Sequence, residues 1–500
     1  MVGLYIAPYK KQSYSGLIFI SFMGMPLSDT DTICNVDLKA QFDEMQRHFD
    51  DQPYLALPQR IRLLKSLKRE LLILEAELVA ASSKDFGFRT AFDTILGDIL
   101  PTVKTISHTI KHLPKWAKDS PRKAGLSLAP SKVAVSYQPK GVVGIISPWN
   151  YPIQLSIVPV ITAIAAGNRV LLKVSEFTPH TNQVLKKLFT GELSEHCAVI
   201  EGEAQLSQQF SCLPFAHLFF TGSTAVGRHV MAAASKNLTP VTLELGGKSP
   251  VIITEQVDID KAAKAILFGK MTNAGQICVA PDYVLVPEKL QHQLVRSLCS
   301  LYKKHYKLGV EGKNLTSVIS SHHFQRLTDL LADAQQQGAQ IIKPLDENQS
   351  DEHKHRLGLH IVTDVNDNMR LMQEELFGPI LAIVTYQQLS QAIDFLNQRP
   401  QPLALYIMGQ NKQLNAHIQH HTQSGTFAIN DTLMQVTADD APFGGLGASG
   451  MGNYHGIEGF LTFSHARNTL KTGGFNPKLG LLLAQNKILI KILKWLYLRP

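Results

Sequence analysis

Sulfur is scarce in this chain. Its five cysteines, at positions 34, 197, 212, 278 and 299, form no CxxC pair and no even framework, which excludes a disulfide scaffold, argues against structural zinc and points to a reducing compartment. Charge is also sparse, at 18% of residues against 44% hydrophobic, ordinary values for a folded soluble chain and unlike a disordered or polytopic membrane protein. No acidic residue follows Glu458, whereas Lys471, Lys478, Lys487, Lys491, Lys494 and Arg499 lie beyond it. Six of the net +8 charges therefore sit in the tail, and the body is close to neutral. A basic groove interleaved with aromatics is missing, so nucleic acid is not an expected partner. Internal repeats and low-complexity linkers are missing too. Five hundred residues exceed what one core usually supports, so two or more units with a cleft between them are expected.

The run GLIFISFMGMPL at 16–27 follows Lys10 and Lys11 and is too short to span a bilayer. Because Met23 and Met25 precede the polar start MPLSDTD, an upstream start codon is the preferred reading over a targeting segment. From 57 to 83 apolar residues recur at steps of three and four (Ile61, Leu64, Leu67, Leu71, Leu74, Leu78), the pattern of a surface helix with one buried stripe. Beyond it the short runs VVGIIS, RVLLKV, HLFFTG and SPVIIT, then PDYVLVP and PILAIVTY, are apolar throughout and separated by helical stretches. Such strands are covered on both faces, which predicts parallel sheets of the α/β class, with a second unit beginning near 245.

One cysteine stands apart. In NAGQICVAPDY, Cys278 follows small and flexible residues that offer little bulk to pack against, as though the thiol were presented rather than buried. Glu244, in LELGGKSP, lies between leucines and before a glycine pair, where desolvation raises a carboxyl pKa and makes a proton acceptor near neutral pH. Asn150, between the two prolines of PWNYP, is a rigid amide suited to an oxyanion. In FFTGSTAVGR, Gly222 and Gly227 follow a strand and open a helix, a place for a pyrophosphate, although the spacing is not GxGxxG. Lys173 and Glu176 follow the strand RVLLKV at the edge where α/β sheets bind ligands.

These segments, with VLLKVSEFTP, EELFGPIL and PFGGLGASGMGNYHG, occur in the order and spacing of the aldehyde dehydrogenase superfamily, and the chain resembles its class 3 branch from about 30 to 470. The tripeptide DFG with Arg89, and YHG with TFSHAR, are similar to bacterial coniferyl-aldehyde-type enzymes. The resemblance implies a Rossmann-like cofactor domain and an α/β catalytic domain, with a β oligomerisation extension that builds a homodimer. It divides the chain into an extension (1–29), a dinucleotide-binding domain (30–243), a catalytic domain (244–440), a return segment with an oligomerisation strand (441–475) and a basic tail (476–500). Segments near 125–141 and 455–470 are the expected pairing pieces, since Val133, Val135 and Tyr137 alternate in strand fashion.

Position by position, the resemblance makes Cys278 the nucleophile and Glu244 the general base, and gives Asn150 with the Cys278 N–H the oxyanion. Lys173 and Glu176 fall at the adenine ribose, Ser223 at the pyrophosphate beside Gly222 and Gly227, Glu375 at the nicotinamide ribose and Phe377 beside the nicotinamide. NAD is the first choice of cofactor and NADP the alternative. The implied reaction oxidises an aromatic or aliphatic aldehyde through a thiohemiacetal and a thioester, and the small loop residues suit a loop that shifts between the two stages. An enzyme acylating coenzyme A and a non-catalytic binding protein are the alternatives; Glu244 weighs against the first and the complete Cys, Glu and Asn set against the second. His417, His420 and His421, and His353 with His355, read as solvated rather than metal-ligating. Between 479 and 498 Lys487, Lys491 and Lys494 share one face of an otherwise apolar helix, which suits a membrane interface or a packing surface. The expected location is cytoplasmic with peripheral membrane contact.

Overall fold

The computed structural model describes residues 36–125, 128–485 and 487–498. The apolar run at 16–27 and Cys34 lie outside the described residues. Six strands form one sheet in the order Gly450–Met451, Val241–Glu244, His217–Thr221, Val142–Ile146, Arg169–Lys173 and Cys197–Ile200, parallel except for the first. The central strands are buried along their whole length, as parallel strands covered by helices on both faces must be.

A second sheet of seven strands runs Gln340–Ile342, His360–Thr363, Ile380–Tyr386, Tyr283–Pro287, Pro250–Ile253, Ala404–Met408 and Thr426–Ile429, parallel except for its first strand. Consecutive strands change sheet between Glu244 and Pro250. One apolar cluster joins the two, with Val143 and Val170 from the first sheet and Val251 and Val284 from the second. The third sheet is antiparallel and exposed: Lys132–Pro139 lies between Ser120–Arg122 and Ser464–Lys471. Tyr137 faces Ala466 in its register and packs edge-on against Phe460.

The periodic stretch from 57 to 83 is two helices, Leu57–Ile73 and Glu75–Asp85, rather than one. The chain bends at Leu74 (φ −90°, ψ 4°), and Glu75 and Glu77 open the second helix where its macrodipole favours acids. The stripe survives the bend, with Leu64, Leu67, Leu71 and Leu78 fully buried.

Candidate active site

The residues singled out in the first half of the chain converge on the carboxyl edge of the first sheet. Lys173 and Glu244 end their strands, Gly222 and Ser223 follow Thr221, and Asn150 follows Ile146 by four positions. Thr221 pairs with Glu244, and the Gly222 N–H donates to the Glu244 carbonyl at 3.0 Å. This is the edge at which open α/β sheets bind ligands. The second sheet meets it with its amino edge. Cys278 and Phe377 each stand five positions ahead of a register pair, Tyr283 and Ala382.

Asn150 is held from two sides. Its Nδ2 donates to the Gln276 carbonyl at 3.0 Å, and its own carbonyl accepts from Asn273 Nδ2 at 3.1 Å. Behind it, Asp98 accepts from the N–H groups of Ile153 and Gln154, which opens the helix Gln154–Ala166, and pairs with Arg89 at 2.8 Å; both side chains are fully buried. The DFG residues are likewise architectural. Asp85 accepts from the N–H groups of His180 and Thr181 at the start of the helix Pro179–Leu188, and Phe86 lies against Trp149.

The loop around Cys278 corrects the sequence reading in one respect. Asn273, Ala274 and Gln276 are all fully buried, and their backbone is tied down rather than free. The Asn273 N–H donates to Asp93, and the Gln276 side chain bonds the carbonyls of Asn273 and Ser317 and the N–H of Ile319. Asn273, Ala274 and Gly275 all take positive φ. A Cβ on Gly275 would stand 2.5 Å from the Gly378 carbonyl. Small residues here serve close approach. The Cys278 side chain is partly exposed and lines a cavity.

Burial pushes the Cys278 thiol up to about 12, with the carboxyls of Glu375 and Glu244 adding to the rise; the N–H groups of Cys278 and Val279 face the sulfur and oppose it. Glu244 is 3% exposed, neither of its oxygens has a hydrogen-bond partner among the described residues, and burial holds its carboxyl well above the usual range. Glu375 is raised to about 8, chiefly by burial and then by Asp282, against a bond from the Gly247 N–H. Its carboxyl lies so close to the backbone at 246 that a Cβ there would stand 2.1 Å from it.

Along the sheet edge, Lys173 is buried, donates to the Val174 carbonyl at 2.7 Å and stands 3.7 Å from the half-exposed Glu176. Ser223 caps the helix Thr224–Ser235 by accepting from the Val226 N–H at 3.3 Å. Val226 is exposed at that helix start, and the buried Thr221 hydroxyl has no partner among the described residues. Gly227 faces Leu245, where a Cβ would meet a methyl at 2.6 Å, so its lack of a side chain allows the helix to approach the chain beyond the Glu244 strand. Phe377 sits at φ +48° and meets Trp149 edge-on at 5.4 Å. Orphaned polar atoms and a capped helix start at one sheet edge fit a dinucleotide.

A cavity of about 230 Å³ leads from Cys278 to the surface. Its walls include Asn150, Tyr151, Leu155, Ile277, Phe443 and Tyr454. Phe92, Leu96, Leu100 and Met434, at its mouth, are exposed apolar side chains. Sequence reasoning gave no role to Asp93, nor to Tyr151 and Tyr454 beyond their places in PWNYP and YHG, since none of the three has a signature of its own.

The family model described as "Aldehyde dehydrogenase family" matches residues 23–469. A probable coniferyl aldehyde dehydrogenase of Pseudomonas aeruginosa is 44% identical over 464 residues, covering 92% of this chain and 96% of that protein. Among solved structures, a substrate-bound AldH of Staphylococcus aureus superposes with a TM-score of 0.84 at 37% identity, covering 90% of this chain and 99% of its own. An aldehyde dehydrogenase of Mycobacterium tuberculosis complexed with NAD+ follows at 0.79 and 26% identity, covering 88% and 91%.

Proposed function

The chain belongs to the aldehyde dehydrogenase family and oxidises aldehydes to carboxylic acids with a nicotinamide cofactor; from this premise we propose that Cys278 is its nucleophile, Glu244 its general base and Asn150 its oxyanion donor. The observation that carries the assignment is one partly exposed thiol lining an apolar cavity, within electrostatic reach of a buried carboxyl that has no hydrogen-bond partner among the described residues.

The sulfur, once deprotonated, adds to the aldehyde carbon. One Asn150 N–H is already bound to Gln276, which fixes the amide plane and leaves the second N–H, with that of Cys278, to stabilise the oxyanion. The nicotinamide group supplies a two-electron hydride acceptor when bound. Loss of hydride leaves a thioester on Cys278. Glu244, with no competing partner, takes a proton from water, and the resulting hydroxide releases the acid and returns the thiol. A base so placed supports hydrolysis over transfer of the acyl group to coenzyme A.

Lys173, Glu176, Gly222 and Ser223 hold the adenosine and pyrophosphate side of the cofactor, and Glu375 with Phe377 the nicotinamide side. Gly227 supports that surface from beneath. Glu176 favours NAD, because its carboxylate accepts ribose hydroxyls and repels a 2′-phosphate. The apolar cavity suits an aromatic aldehyde of the coniferyl type or an aliphatic chain. The exposed edge of the third sheet suits a homodimer. The helix Lys487–Tyr497, whose lysines lie four and three apart with Ile490, Ile492 and Leu498 exposed, suits a membrane interface. At 11 residues it spans about 16 Å, too short to cross.

The test of the nucleophile is Cys278→Ala. Turnover of any aldehyde in a panel of coniferyl aldehyde, benzaldehyde and long-chain alkanals should vanish while cofactor binding persists, and retention of most activity would refute the assignment.

A further inference from the structure

Lys270 is a buried cation that this mechanism does not use. It is 1% exposed, lies on the helix Ile259–Met271 eight positions ahead of Cys278, and has no ion-pair partner among the described residues. Its Nζ donates to the Gly378 carbonyl at 2.9 Å. Burying an ammonium group that donates to one carbonyl is costly, to the point that its pKa falls to about 8 although the carboxyls of Asp282 and Glu375 act to raise it. A hydrophobic residue would fill the place at less expense, so the carbonyl it holds is the feature to explain.

That carbonyl belongs to a segment gripped along its length by charged side chains. Lys248 donates to the carbonyls of Leu371 and Glu374 at 2.7 and 2.9 Å. Arg326 donates to those of Glu375, at 3.1 Å, and Leu376. Asp282, paired with Lys248, accepts from the Leu376 N–H at 2.8 Å. The carbonyls of residues 374, 375, 376 and 378 thus each meet a cation. The one between them belongs to Phe377, an aromatic residue at φ +48°, a conformation that disfavours any side chain and that its surroundings must impose. Lys270 alone of the three cations also lies on the helix that leads directly into the Cys278 loop.

We propose that Lys270 is a positioning residue that locks the segment carrying Glu375 and Phe377 to the Cys278 loop, and so sets the nicotinamide side of the site against the sulfur. The inference rests on the reading above that Glu375 and Phe377 meet the cofactor. Close contact already exists where Gly275 lies against the Gly378 carbonyl, and the Lys270 bond to that same carbonyl closes the junction. Arg326 and Lys248 shape the segment itself, whereas Lys270 fixes its distance to the nucleophile.

The test uses the full-length enzyme and four readouts: the dissociation constant of NAD, the single-turnover rate of hydride transfer, hydrolysis of p-nitrophenyl acetate without nucleotide, and deuterium uptake across residues 371–380. Ester hydrolysis uses the thiol and Glu244 but needs no hydride acceptor. Lys270→Met should weaken NAD binding and slow hydride transfer by roughly tenfold each, leave ester hydrolysis within about twofold and raise deuterium uptake. Lys270→Gln, which keeps an N–H for the carbonyl, should recover most of the loss, and Lys270→Leu stands in if the methionine variant does not fold. Unchanged NAD binding and hydride transfer in the apolar variant would overturn the inference, and so would a parallel fall in ester hydrolysis, which would mark a general support of the loop. Glu375→Ala and Phe377→Ala separate the two claims. If they leave NAD binding intact, the assignment of this segment to the cofactor fails; if they weaken it and Lys270→Met does not, only the role of Lys270 fails.

Discussion

Glu244 shows how much one residue's surroundings decide. Flanking leucines and a following glycine pair made its desolvation legible in the sequence, and the structure buries it with both oxygens unpaired. A base must be ionised to act, so its raised pKa makes thioester hydrolysis accelerate with rising pH until the carboxyl has titrated. Glu244→Gln should let the acyl-enzyme accumulate, seen as a burst of reduced cofactor followed by a steady state slower by about 10²-fold or more; an unaltered steady state would assign the base elsewhere. The same burial costs stability. A carboxyl whose folded pKa lies above its unfolded one loses stability as pH rises past the unfolded value, at most by about 1.4 kcal/mol per unit of upward shift. The melting temperature of the glutamine variant relative to the wild type should therefore increase as pH rises above the unfolded carboxyl's value. Glu176 poses a choice of cofactor at the same scale: Glu176→Ala should raise kcat/KM with NADP relative to NAD by roughly tenfold, and a fixed ratio would remove that carboxylate from the selection. Lys270, Arg326 and Asp282 were not legible at all. Their backbone partners lie 108, 49 and 94 positions away, and such bonds leave no local pattern.

At the scale of elements, strands announced themselves and their junctions did not. Runs such as VVGII and RVLLK are apolar from end to end because both faces are covered, and both are strands. By contrast the buried pair of Arg89 and Asp98, which opens the helix after Asn150, looks in sequence like two ordinary surface charges. The bend at Leu74 was hidden for a related reason: the buried stripe continues through it, so periodicity alone saw one helix. The C-terminal helix was the reverse case, since its lysine spacing was plain and its surface is exposed as that spacing implies. A cationic face beside apolar side chains binds anionic lipid by about 1 kcal/mol per lysine near the surface. Deletion of residues 476–500 should accordingly move the enzyme from sedimented vesicles containing phosphatidylserine to the supernatant with aldehyde oxidation intact, and an unchanged distribution would end the membrane reading.

At the scale of the molecule, the site exists because the carboxyl edge of one sheet faces the amino edge of another, an arrangement no single segment encodes. The order of motifs along the chain still betrayed it: Asn150, Glu244, Cys278 and Glu375 alternate with strands of two sheets that share one apolar cluster. Because Val143 and Val170 pack in the same cluster as Val251 and Val284, neither sheet can lose its core without exposing the other's. Thermal unfolding followed by calorimetry should then give one transition rather than two. A ligand bound across both edges adds about 2.7 kcal/mol at a hundredfold excess over its Kd, so NAD should shift the whole transition upward together; a second, unshifted transition would show that the units unfold separately. The proposed dimer enters the same measurement. The strand Ser464–Lys471 pairs in register with Lys132–Pro139 over its full length and, among the described residues, has no strand on its other edge, and an open edge is where a second subunit would continue the sheet. If folding and dimerisation are coupled, the midpoint should rise with protein concentration, and a midpoint independent of concentration would leave that edge without a partner subunit.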